Sequence, residues 1–126
     1  MNALQAASPI ALLYPSSYAT TAAASSGWVA TGDFDGTLVL TQEVGALTGS
    51  VSGSFDHAFS STGASAASLN FFNEGATFTT VSAASNLQRK TVSCNALGGW
   101  VRYRPTIATG PATLSVTISG IKRAGN

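Results

Sequence analysis

Polar and apolar positions alternate most plainly near the end of the chain. From residue 112 to 119, Ala112, Leu114, Val116 and Ile118 interleave with Thr113, Ser115, Thr117 and Ser119. A period of two marks a strand with one buried and one wet face. Trp100-Val101-Arg102-Tyr103-Arg104 alternates likewise and is expected to stop at Pro105, which cannot donate to a ladder. Gly110-Pro111 predicts the turn between these two strands. Earlier, residues 28–34 and 37–44 read as strands flanking Asp35-Gly36, a pair suited to a tight hairpin because Gly36 accepts positive φ. In the second run Leu38, Leu40 and Val44 share one side, and Val39, Thr41 and Glu43 the other. Val51 to Phe55 reads as a short strand inside the Gly/Ser/Ala-rich stretch 45–68, because Gly49, Gly53 and the serines are poor helix formers. Residues 69–72, 76–81 and 88–94 complete the set.

Seven or eight short strands with regular turns and no helix predict an all-β fold. The expected form is a single antiparallel β-sandwich, a jelly-roll-like domain, over residues 27–126. Its inner faces are expected to carry Leu38, Leu40, Phe78, Val101, Tyr103, Leu114, Val116 and Ile118. Residues 1–26 read differently. They contain no charge, and Pro9 and Pro15 interrupt any helix. Ile10, Leu12, Leu13, Tyr14 and Tyr18 are more apolar surface than a solvated tail needs. The segment therefore predicts an extended N-terminal arm laid on a neighbouring subunit, whose removal to residue 24 would leave the sandwich folded.

Composition changes the picture in one respect. Ala, Ser, Thr and Gly make up 66 of the 126 residues, and charged residues only 9%, against about 25% in an average domain. With net charge +1 and mean hydropathy +0.23, copies repel one another weakly, which favours a permanent partner. Leu, Val, Ile and Phe number 28, enough for one modest core. Cys94 is the single cysteine, so no intrachain disulfide forms, and it reads as a small buried apolar group. No stretch approaches the ~20 apolar residues of a membrane helix, and residues 1–13 lack the basic start of a secretory signal. Nothing in the sequence directs the chain out of the cell that makes it, and no membrane partner is expected.

Candidate chemistry is sparse. His57 stands alone in Phe55-Asp56-His57 and reads as an exposed loop histidine, since a hydrolytic triad needs a placed nucleophile, base and acid. One His and one Cys do not make a zinc site. Asp33 and Asp35 are too few for calcium, and no phosphate-binding glycine loop occurs. No enzyme activity, metal or cofactor is expected. All five acids (Asp33, Asp35, Glu43, Asp56, Glu74) precede residue 75, and all six bases (Arg89, Lys90, Arg102, Arg104, Lys122, Arg123) follow residue 88. Either strands from the two halves interleave and the segregation vanishes, or complementary patches align copies of the subunit. Trp100, Arg102 and Arg104 on one strand face could contact single-stranded nucleic acid, but a pI of 7.9 falls short of a basic domain, and nucleic acid is not an expected partner.

Gly32-Asp33-Phe34-Asp35-Gly36-Thr37-Leu38-Val39-Leu40 resembles the first hairpin of small β-sandwich structural proteins of tailed bacteriophages. Trp100-Val101-Arg102-Tyr103-Arg104-Pro105-Thr106, Gly110 and Ala112-Thr113-Leu114-Ser115-Val116-Thr117-Ile118 resemble their last two strands. The resemblance spans about a third of the chain. It implies a virion component, a head decoration (cement) protein made in the host cytoplasm and placed on the capsid surface. Its implied partners are the major capsid protein and its own copies, as a homotrimer. Interface candidates are then Ile10, Leu12, Leu13, Tyr14, Tyr18, Arg102 and Arg104. The rival class is a carbohydrate-binding or tail-fibre-type module, with Trp28, Trp100, Tyr103 and Tyr14 as a stacking platform near Asp or Asn. Exposure of those aromatics separates the two.

Overall fold

The alternating segment at the C-terminus becomes the strand around which the larger of two sheets is built. The computed structural model describes residues 4–6, 10–31, 33–58, 78–93 and 99–123. β1 (Leu4–Ala6) and β2 (Ile10–Tyr18) pair with one side of β8 (Ala112–Arg123), and β4 (Phe34–Leu47) pairs with the other; β6 (Asn86–Ser93) lies beyond β4. The smaller sheet runs β3 (Val29–Ala30), β7 (Trp100–Ala108), β5 (Ser50–Ala58). Every pairing is antiparallel. The single helix among the described residues, α1 (Thr21–Ala24), is one turn capped by the Thr20 hydroxyl, which accepts from the Ala23 amide. The fold is all-β, with the core between two antiparallel sheets.

The period-two phase assigned from sequence holds throughout the core. All eight expected inner-face residues are buried, joined by Val44, Val51 and Phe55. Phe55 sits edge-on to Phe78 and Tyr103, with centroids 5.6 and 5.4 Å away. Burying each such side chain stabilises by roughly 1.5–3 kcal/mol.

Four local expectations are corrected. First, the arm is part of the sheet. β2 pairs with β8 from Ile10↔Ile118 to Tyr18↔Ala112, and Leu12 and Leu13 are buried in the chain's own core. β8 has two edges, and β4 covers one; β2 satisfies the other, so its apolar residues find a partner within the same chain.

Second, Asp35-Gly36 makes no hairpin. β3 belongs to the smaller sheet, so the chain has changed sheets before it reaches Asp35. Because β8 extends to Arg123, Phe34 and Asp35 pair with Lys122 and Ile121. The register then shifts to Leu38↔Gly120, and Gly36, at φ +79°, supplies the left-handed residue of a bulge.

Third, Pro105 does not end β7. The Tyr103 and Ile107 amides donate away from β5, to the Ser26 and Thr21 hydroxyls. Pro105 lies between them, so its missing N–H falls on the side where β3 no longer runs. Fourth, 78–81 is no regular strand. It runs along β5 through Phe78 N–H to Gly53 C=O and reciprocal bonds between Val51 and Val81. The strand expected at 69–72, residues 59–68 of the Gly/Ser/Ala-rich stretch and Cys94 lie outside the described residues.

Candidate functional site

Two outer sheet faces and one buried polar contact carry the chemistry. On the smaller sheet, Asp56 stands opposite Arg102 and Ser54 opposite Arg104. Arg104 donates from Nε and Nη2 to the two Asp56 carboxylate oxygens at 2.6 and 3.1 Å. Arg102 Nε reaches Oδ2 at 3.4 Å, and its guanidinium lies 4.7 Å from the Trp28 ring centroid. The hydrogen bond to Asp56 raises the Arg104 pKa. The carboxylate is fully enclosed while both arginines keep part of their surface in solvent. The arrangement clamps β5 to β7 and leaves no carboxylate oxygen in solvent for a ligand.

Inside the sandwich, the Tyr103 hydroxyl donates to Gln42 Oε1 at 2.5 Å, both side chains being wholly buried. Burial pushes the Tyr103 phenol well above the ordinary tyrosine range. Gly53 makes room for this contact: a Cβ there would lie 2.6 Å from the Tyr103 hydroxyl and would overlap Gln42. On the same strand as Gly53, His57, expected in an exposed loop, is buried on β5 opposite Val101. The alternation Val51, Gly53, Phe55 continues one step further than the sequence reading allowed, and His57 is its next inward position.

The outer face of the larger sheet is of another kind. Thr41, Thr91, Thr113, Ser115, Thr117 and Ser119 point outward with Val39 among them, following the burial alternation of β4, β6 and β8. One acid and one base stand exposed on it, Glu43 on β4 and Arg89 on the edge strand β6. Among the described residues neither makes an ion pair. Leu87, opposite Glu43, is 53% exposed, and Tyr14, on the bulged part of β2, is 75% exposed. Shallow grooves of about 250 and 210 Å³ flank Glu43 and Gly45, one bounded by Leu87 and the other by Pro15.

The interface candidates are therefore dispersed. Leu12 and Leu13 serve the core, Ile10 and Tyr18 pack half-buried against it, and only Tyr14 of the five faces solvent freely. Arg102 and Arg104 do come together, through an Asp56 that the sequence reading did not connect with them. The stacking platform is broken up: Tyr103 is in the core, Tyr14 is on the larger sheet, and Trp28 and Trp100 are half-buried on the smaller one. Trp28 is covered on one ring face by Arg102. The acid and base halves of the sequence interleave, as Asp56 with the arginines illustrates. Sequence reasoning missed Leu87, whose signal is a large apolar residue between the polar Asn86 and Gln88.

Among the described residues no three His, Cys, Asp or Glu side chains cluster as metal ligands, and no helix is long and apolar enough to cross a membrane. No protein-family model, curated protein or solved structure matches the chain.

Proposed function

We propose that the chain is a structural subunit that works by contact with copies of itself and with a repeated protein shell, of the capsid-decoration kind. One observation carries this: the outer face of the larger sheet is hydroxyl-rich with few charges among the described residues, and Leu87 projects from it, while Tyr14 stands exposed on β2 at the same sheet. Hydroxyls cost less to desolvate than charges and regain hydrogen bonds when they pair across a contact, and a weakly charged chain resists association poorly. The enclosed Asp56 clamp and the buried Gln42–Tyr103 pair serve rigidity, which suits a building block. The major capsid protein as partner, the homotrimer and the capsid surface as location belong to this proposal through the phage resemblance.

Sedimentation of the purified chain tests it. Association that grows with concentration, to defined multiples of one chain, is the expected result. A lone species at every concentration that binds soluble glycans or turns over a substrate would overturn it.

A further inference from the structure

The register of β4 against β6 fixes a square of four outward positions. Glu43 stands opposite Leu87 and Thr41 opposite Arg89. Glu43 and Arg89 thus lie on one diagonal, Leu87 and Thr41 on the other. Consider a second copy placed face to face by a two-fold axis along the Leu87–Thr41 diagonal. The rotation exchanges the ends of the first diagonal, so each Glu43 lies over the other copy's Arg89. It returns the second diagonal to itself, so Leu87 meets Leu87 and Thr41 meets Thr41. Acid falls on base, apolar on apolar and hydroxyl on hydroxyl, which is the self-complementarity a two-fold contact requires. Among the described residues, Glu43 and Arg89 stand exposed on this face without an ion pair.

We propose that this square is the centre of a two-fold contact between copies of the chain, with Glu43 and Arg89 paired reciprocally about a Leu87–Leu87 contact. The proposal rests on the self-assembly reading and gives that reading a surface. Alone the contact makes a dimer. Where copies are also joined in threes through another surface, it links one trimer to the next.

Charge reversal tests it by sedimentation velocity, with circular dichroism to check folding. Glu43→Arg chains carry only bases at these two positions and Arg89→Glu chains only acids. Each variant alone is expected to lose the two-fold association, an equimolar mixture to regain it, and the double variant to associate like the parent. Recovery on mixing cannot come from changed folding of either chain. A second measurement uses Leu87→Cys in a Cys94→Ser background, which is expected to form a symmetric intermolecular disulfide on mild oxidation. If the parent associates but the single variants associate equally well, or their mixture does not recover, the contact is overturned and the self-assembly reading stands. If the parent stays a lone species at the highest attainable concentration, both fall.

Discussion

The contact between Tyr103 and Gln42 allows a sharp energetic prediction, because its two partners are unequally satisfied. Tyr103 donates its one hydrogen to Gln42 Oε1, whereas the buried Gln42 Nε2 has no hydrogen-bond partner among the described residues. Tyr103→Phe removes the donor, leaves the ring in place beside Phe55, and strands the Gln42 carbonyl as well as its amide. A buried polar atom left unpaired costs about 1–3 kcal/mol, so Tyr103→Phe should destabilise by roughly 2 kcal/mol. Gln42→Met keeps an unbranched side chain in the slot above Gly53. It strands the tyrosine hydroxyl but also removes the unpaired amide, two effects of about the same size and opposite sign, so the net change is expected near zero.

The double variant strands nothing. It should match or exceed the parent in stability, giving a coupling energy of about 1–3 kcal/mol. Urea unfolding followed by the fluorescence of the half-buried Trp28 and Trp100 measures all four corners of the cycle. A shift of ~2 kcal/mol is a large part of the roughly 5–15 kcal/mol that holds a domain of this size together. Strictly additive single effects, or a double variant weaker than both singles, would refute the assignment of an isolated buried polar pair.

Other expectations follow from the same structure. The folded Tyr103 holds its proton at pH values where the unfolded phenol has lost it. Stability is therefore fully present below about pH 10, the ordinary tyrosine value, and falls as pH rises beyond it; Tyr103→Phe should flatten that fall in alkaline denaturation curves. Asp56→Ala breaks the bonds to Arg104 and Arg102 but frees two partly solvated arginines, so chemical denaturation should show a loss of roughly 2–3 kcal/mol; no loss would mean the clamp is dispensable. Leu114→Ala and Val116→Ala should each cost roughly 2–4 kcal/mol in the same assay, and parent-like stability would contradict the inward phase of β8. Deleting residues 1–24 removes β2 with Leu12 and Leu13 and uncovers one edge of β8, so the product should unfold or aggregate; a folded, cooperative truncation would show that β2 is an accessory.

Facial alternation was legible in the chain from the start, because a strand turns successive side chains to opposite sides whatever its neighbours are. That is why Leu38, Leu40, Val101, Tyr103, Leu114, Val116 and Ile118 could be placed inside before any pairing was known, and why the all-β class followed. Pairing partners are a different matter, since they depend on residues far away in sequence. Asp35-Gly36 encodes only a tolerance for positive φ, which a hairpin turn and a bulge use equally; the length of β8 chose the bulge. Leu12 and Leu13 announce a need for apolar cover, and the vacant edge of β8 decided that the cover is internal. Arg102 and Arg104 declare two positive charges on one strand face, but Asp56, 46 residues before Arg102, became their partner only because β5 and β7 align. The square of Glu43, Leu87, Thr41 and Arg89 likewise exists only in the register between β4 and β6. Local chemistry thus settled the direction of each side chain, and the tertiary pairing settled which of them meet.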